Sequence, residues 1–219
     1  MSSSKLKYPK LRKELVATAL SMNKSGINQG TSGNISARTK SGFLITPTGL
    51  AYDMMTPNDL VPMAMDGSWT GTRLPSSEWR FHLDIYAARS DVGALVHTHS
   101  VSATALACLD LGIPPFHYMV AAAGGRDIRC SAYATFGTQE LSDLALRALD
   151  GRRACLLGHH GVIATGTTLP KALALAVEVE TLARMYLACR TVGEPDLLTD
   201  AQMDEVLAKF TTYGQPQSQ

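Results

Sequence analysis

Residues 94–100 run Ala94-Leu95-Val96-His97-Thr98-His99-Ser100, an apolar segment that ends in two histidines one residue apart. A short apolar run of this kind predicts a buried strand. In a strand, side chains two apart point to the same face, so both imidazoles can reach one ion. A neutral imidazole offers a nitrogen lone pair suited to Zn²⁺ at about 2.0–2.1 Å. An HxH pair also occurs without metal, so the rest of the chain has to supply further ligands.

Upstream of that strand, Glu78 to Arg89 predicts a helix. Trp79, Leu83 and Tyr86 recur three or four apart, and Ser76 and Ser77 can cap its start. Farther back, Leu11, Leu15, Ala19 and Met22 mark an amphipathic helix from Pro9 to Ser25 that Gly26 closes. The glycine-punctuated stretch Gly30-Thr31-Ser32-Gly33-Asn34 leads into β-like runs at Ile35–Arg38 and Phe43–Thr46. A further run at Leu60–Met65 ends at Asp66-Gly67, a hairpin turn signal.

Downstream, a helix is expected at Val101–Leu109, and Pro114-Pro115 then breaks the chain. Helices at Gln139–Leu149 and Pro170–Cys189 flank a strand pair around Gly158–Gly161, and a last helix covers Asp200–Phe210. Strands and helices intermix with no linker and no repeat, which predicts one layered α/β domain over residues 1–219. Short turns between successive strands favour a largely antiparallel sheet.

Composition narrows the function. Of 219 residues, 45% are hydrophobic and 18% charged, the balance of a soluble globular protein. A formal net charge of +1 gives no electrostatic case for a nucleic-acid partner. No apolar run approaches the roughly 20 residues that cross a bilayer, so no membrane partner is expected. Met1 to Lys10 has no apolar core and does not resemble a secretory signal. Cys108, Cys130, Cys155 and Cys189 are scattered among apolar neighbours, as buried free thiols of a cytoplasmic protein would be. No lysine lies between Lys40 and Lys171. Schiff-base, pyridoxal and Walker-type chemistry each want one among the central motifs, so carbanion chemistry here needs another electron sink.

Candidate ligands beyond the HxH pair are few. His159-His160 stands between Gly158 and Gly161 in an apolar strand context. Neighbours in a strand face opposite ways, so one of the two belongs to a site, and spacing does not say which. Glu78 opens its helix, where a first-turn acid is common for reasons of the helix dipole alone. His82, four residues on, shares its face and competes as a ligand. Three imidazoles and one carboxylate would complete a four-ligand zinc sphere.

Eight segments of the chain together resemble one known family. They are GTSGNIS at 30–36, ITPTG at 45–49, LPSSEW at 74–79, VHTHS at 96–100, HYMVAAAGG at 117–125, YATFGTQELS at 133–142, GHHGVIA at 158–164 and KFTTYG at 209–214. The chain is identified by them as a member of the class II aldolase/adducin family, on the branch acting on L-fuculose 1-phosphate. The resemblance implies a three-layer α/β/α domain around a mainly antiparallel sheet, assembled as a homotetramer with active sites at subunit interfaces. It implies that Glu78, His97, His99 and His160 hold one Zn²⁺ per subunit, and that His82 and His159 do not. By the same match Gly33, Asn34, Thr48, Gly49, Ser76 and Ser77 form a phosphate cradle. Glycines let backbone N–H groups approach an anion, and a helix start favours negative charge.

Tyr118 would reach into a neighbouring subunit's site, Phe136 would line the aldehyde pocket, and Tyr213 would come from a mobile tail beginning near residue 211. The expected reaction is retro-aldol cleavage of L-fuculose 1-phosphate to dihydroxyacetone phosphate and L-lactaldehyde. Glu78 would carry the carbon-bound proton, and Tyr118 the proton of the aldehyde oxygen. The resemblance leaves three alternatives. One is an aldolase for another ketose 1-phosphate, such as 5-deoxyribulose 1-phosphate. Another is a pentulose-phosphate 4-epimerase, a branch that carries aspartate where this chain has Glu78. The third, a non-catalytic adducin-like module, would be expected to have lost ligands.

Overall fold

A computed structural model describes residues 6–212. The chain opens with α1 (Pro9–Lys24), whose Leu15, Ala19 and Met22 are buried as the spacing requires, and Gly26 follows in the left-handed region at φ +74°. Strands β1 (Asn34–Thr39) and β2 (Gly42–Ile45) form a hairpin, and β3 (Val61–Ala64) adds to its edge. The expected turn at Asp66-Gly67 forms. Gly67 has φ +86° and Asp66 Oδ1 accepts from the backbone N–H and hydroxyl of Ser68.

Next come α2 (Trp79–Ala88), β4 (Ala94–Thr98) and α3 (Val101–Ala107). A 3-10 helix, Tyr118–Ala123, and the two-residue β5 (Cys130–Ser131) follow; neither was legible as an element. Then α4 (Gln139–Ala148), the hairpin of β6 (Ala154–Leu157) and β7 (Gly161–Gly166), α5 (Leu169–Val192) and α6 (Asp200–Phe210) complete the fold. α5 continues three residues past the expected end at Cys189, to the C-cap glycine Gly193.

The seven strands form one sheet in the order β3-β2-β1-β4-β7-β6-β5. Every strand pair is antiparallel except β5 with β6. Alternation along the strands splits the core in two. Ile35, Leu44, Val96 and Val162 face α1, α3 and α5, whereas Phe43, Leu95, Leu157 and Ile163 face α2 and α4. The result is the three-layer α/β/α arrangement expected. Because His97 follows Leu95 by two residues, it lies on the α2 side of the sheet.

One long-range contact fixes the segment just after the HxH pair. The buried carboxylate of Glu180, on α5, accepts the backbone N–H groups of Ser102 at 2.9 Å and Ala103 at 2.9 Å. It thereby caps α3, whose own N-cap Ser100 makes no side-chain cap bond. Glu180→Ala orphans these donors and is expected to lower stability by about 2–3 kcal/mol in urea unfolding. A loss under about 0.5 kcal/mol would show that the contact is incidental.

Candidate metal centre

Three backbone features bring the candidate ligands together. His97 lies in β4 and His99 one residue past its end, and their ring nitrogens meet at 3.1 Å. Glu78 is the N-cap residue of α2, one residue before the helix proper, and its N–H donates to Ser76 Oγ at 3.3 Å. The β6–β7 turn brings the last imidazole. His159 sits in the left-handed region at φ +53°, and this swings its side chain outward, half exposed, while His160 turns inward. Gly161 lets the turn lie against β4, because a Cβ there would stand 2.4 Å from Thr98 O and 3.0 Å from the His99 ring. The turn thus brings His160, and not His159, to the other candidate ligands.

Donor atoms of Glu78, His97, His99 and His160 all lie within 4.8 Å of one another, the one such cluster of three or more His, Cys, Asp or Glu among the described residues. His97 Nε2 is 3.1 Å from His99 Nε2 and 3.2 Å from Glu78 Oε2, and His160 Nε2 is 3.0 Å from Glu78 Oε1. His97 Nδ1 lies 2.9 Å from the carbonyl oxygen of Val162. A carbonyl only accepts, so Nδ1 carries a proton toward it, and Nε2 is the nitrogen turned to the cluster.

Despite its short distance to His160, the buried Glu78 Oε1 makes no hydrogen bond of acceptable geometry. An orphaned carboxylate oxygen facing converging ring nitrogens is the environment a divalent cation satisfies, so the residues fit a metal.

The electrostatics agree. Burial would raise the Glu78 carboxyl, but the neighbouring His97 and His160 outweigh it and hold the group well below the usual carboxylate range. Burial pushes the His99 ring down to about 4, helped by His97 and His160, so it is neutral at pH 7 with a lone pair to give. His82, expected to compete as a ligand on spacing alone, lies elsewhere. Its Nδ1 is 2.6 Å from Ser36 Oγ and its Nε2 2.5 Å from Asn34 Oδ1.

A cavity of about 310 Å³ opens over the cluster, lined by Glu78, His99 and His160 together with Ser32, Ser77, Tyr133, Ala134, Phe136 and His159. Larger hollows of about 470 and 480 Å³ lie elsewhere and hold no comparable donor set. Phe136 lies on the cavity wall. Tyr133, which sits in a quoted motif but had been given no role, joins it.

The remaining expected site residues are distributed as follows. The loops carrying Thr48-Gly49 and Ser76-Ser77 are locked side by side, with Thr48 N–H on Leu74 O at 3.2 Å and Ser76 N–H on Thr46 O at 3.0 Å. Gly33 packs so tightly that a Cβ would stand 2.5 Å from His97 O. Asn34 is buried, and its amide is spent on Glu78 Oε2 at 2.8 Å and on His82, not on open space. Tyr118, half exposed at the head of the 3-10 helix, does not line this chain's own cavity. Tyr213 lies outside the described residues.

Residues 13–187 match the model of the Class II Aldolase and Adducin N-terminal domain. The chain belongs to the class II aldolase family. It is 57% identical over 204 residues to the 5-methylthioribulose-1-phosphate/5-deoxyribulose-1-phosphate aldolase of Rhodospirillum rubrum, covering 93% of this chain and 92% of that one. It is 48% identical over 206 residues to the L-fuculose phosphate aldolase of Escherichia coli K12, covering 94% and 96%. Among solved structures, an L-fuculose 1-phosphate aldolase superposes with a TM-score of 0.90 at 39% identity, covering 96% of this chain and 98% of that one. This class II aldolase is therefore a metal-dependent carbon–carbon lyase, and the Glu/His cluster is a group that could hold the metal. No helix among the described residues is long and apolar enough to cross a membrane.

Proposed function

We propose that this aldolase cleaves a ketose 1-phosphate reversibly to dihydroxyacetone phosphate and a short aldehyde, with one Zn²⁺ held by Glu78, His97, His99 and His160. The observation that carries the reading is the orphaned Glu78 Oε1 among three convergent imidazoles. Three nitrogens and one oxygen are a donor set that favours zinc over the harder cations. When bound, the ion supplies a Lewis acid toward the substrate's carbonyl and neighbouring hydroxyl oxygens.

The side chains do the rest. As the bond between C3 and C4 breaks, its electron pair stays on C3 and the C4 hydroxyl gives up its proton as the aldehyde forms. Glu78 returns a proton to C3, and in synthesis removes it. Tyr118 exchanges the proton of the aldehyde oxygen. Because Tyr118 is turned away from its own cavity, the reading places it over the site of a neighbouring subunit in a homotetramer. Gly49, Ser76, Ser77 and Thr48 cradle the phosphate with Gly33 and Asn34, near the positive end of α2. Phe136 packs against the aldehyde half, and Tyr213 is assigned a share in positioning the substrate. The setting is cytoplasmic; all four cysteines are free thiols, although only Cys155 is buried as expected, and Cys108 is exposed.

Two substrates fit an aromatic wall. L-fuculose 1-phosphate and 5-deoxyribulose 1-phosphate both end in a methyl group, and they release lactaldehyde and acetaldehyde respectively. The relative at 57% identity, against 48% for the fuculose enzyme, favours 5-deoxypentulose 1-phosphates. The test is dihydroxyacetone phosphate release by the zinc-loaded protein from both, and from 5-methylthioribulose 1-phosphate. Release that stops on chelation and returns with Zn²⁺ is expected. No release from any of them, or full activity after exhaustive chelation, would overturn the proposal.

A further inference from the structure

A line of buried polar groups runs away from the metal cluster, and nothing in the proposed chemistry uses it. It begins at Glu78 Oε2, which accepts from Asn34 Nδ2 at 2.8 Å. Asn34 Oδ1 is 2.5 Å from His82 Nε2, His82 Nδ1 is 2.6 Å from Ser36 Oγ, and Ser36 Oγ is 2.8 Å from the Tyr86 hydroxyl. All five residues are buried.

The direction of every bond follows from its ends. A carboxylate only accepts, so the Asn34 NH₂ faces Glu78 and its carbonyl oxygen faces His82. That oxygen needs a donor, so His82 carries its proton on Nε2 and accepts at Nδ1. Ser36 must then donate to His82 and accept from Tyr86. Fully buried, the His82 ring remains neutral, as this order of bonds requires.

The line is built by a match of two periods. Asn34, Ser36 and Arg38 form one face of β1 and advance about 6.6 Å per pair of residues. Glu78 at the N-cap, then His82 and Tyr86 along one face of α2, follow at four-residue steps of about 6.0 Å. The third rung is Arg38, which donates to the carbonyl oxygens of Tyr86 and Arg89 at 2.7 Å and ties down the far end of α2. Its guanidinium also lies over the Tyr86 ring.

We infer that Asn34, Ser36, His82 and Tyr86 form a positioning relay that tethers one oxygen of Glu78 and leaves the other free for the metal and the substrate proton. The inference rests on the proposed role of Glu78. A carboxylate that must both hold a cation and move a proton needs one fixed oxygen and one free one, and the structure shows that division. Oε2 is bonded to Asn34, while Oε1 faces His160 Nε2 at 3.0 Å without hydrogen-bond geometry. His82 is thus a positioning residue that acts through Asn34. Without its N–H, the Asn34 amide can turn its oxygen toward the carboxylate and drive Glu78 out of place.

The test uses His82→Phe and His82→Gln. Phenylalanine keeps the ring that stacks on Phe81 but offers neither bond, whereas the glutamine amide offers one donor and one acceptor, as the imidazole does. Zn²⁺ affinity is measured without substrate by competition with a fluorescent chelator, and kcat and KM are measured on the ketose 1-phosphate. His82→Phe is expected to lose about 10- to 100-fold in Zn²⁺ affinity and in kcat, with KM within about threefold. His82→Gln should restore most of both. If folded His82→Phe matches the parent, or if both variants are equally impaired, the relay is refuted. Should His82→Phe not fold, Ser36→Ala removes one oxygen from the line. A loss of at least about threefold in Zn²⁺ affinity supports the relay, and no change overturns it. A parent protein that binds Zn²⁺ but cleaves no ketose 1-phosphate defeats the proposed function alone, because the affinity arm still decides the relay.

Discussion

Glu78→Gln is expected to leave the fold intact and to cut turnover by about 10²- to 10⁴-fold, the range a positioned acid–base group contributes. The structure says which way the new amide would point. Asn34 Nδ2 faces the Oε2 position as a donor, so that position has to be taken by the amide oxygen. The amide nitrogen then falls at the Oε1 position, toward His160 Nε2 and the centre of the cluster. An N–H there can neither ligate a cation nor remove a proton. The opposite orientation sets two NH₂ groups against each other, so rotation offers no escape.

Stability gives an independent readout. The lowered Glu78 carboxyl means that the fold gains from its charge at neutral pH, so a neutral amide gives some of that stability up. The metal-free variant should therefore melt somewhat below the parent while still unfolding in one cooperative transition, and most of the stabilisation the parent gains from added Zn²⁺ should disappear. Parent-like turnover by a folded Glu78→Gln protein would remove Glu78 from the chemistry. A variant that lost activity only by unfolding would instead show no cooperative transition above the assay temperature.

What could be read in the sequence follows from how local each signal is. The alternation around His97 and His99, the helix spacing of Leu15, Ala19 and Met22, and the Asp66-Gly67 turn depend on near neighbours, and all three formed where expected. The two-residue β5 and the 3-10 helix at Tyr118–Ala123 are too short to show a period, and their conformation is set by the sheet edge and the helices around them. Spacing could not choose between His159 and His160, because a turn breaks strand alternation there. His159 adopts φ +53°, and no residue pattern announces it.

His82 shows the opposite failure. It does share a helix face with Glu78, but a shared face gives only a direction. What lies in that direction is Asn34 and Ser36, which β1 brings from 48 and 46 residues away. The signal was present as the polar row Asn34, Ser36, Arg38 on alternate positions of an otherwise apolar strand. It gains meaning only when set against the four-residue period of α2. The same pairing takes Asn34's side chain away from the phosphate cradle in which the family pattern had placed it, so a role there would fall to its backbone.

His160→Ala, compared with His159→Ala, is the sharpest test of how the turn divides its two histidines. His160 is nearly buried, with its Nε2 3.0 Å from Glu78 Oε1, whereas the half-exposed His159 has its Nε2 3.7 Å from Asp110 Oδ1 and its ring against Tyr133. Removing His160 leaves three donors and an opening toward the cavity. Zn²⁺ affinity is then expected to fall by more than about 100-fold, beyond the 10- to 100-fold typical when only a partner of a ligand is lost. Turnover at limiting Zn²⁺ should fall with it and recover in part when Zn²⁺ is raised, since the remaining donors can still hold the ion with water in the vacated position. His159→Ala should keep parent-like Zn²⁺ affinity, because its ring faces away from the cluster. Chelator competition and metal content per chain measure both variants. If His159→Ala lost the metal while His160→Ala kept it, the left-handed turn would have been read the wrong way round. Equal losses in the two would mean that the turn's conformation, rather than either imidazole, holds the ion.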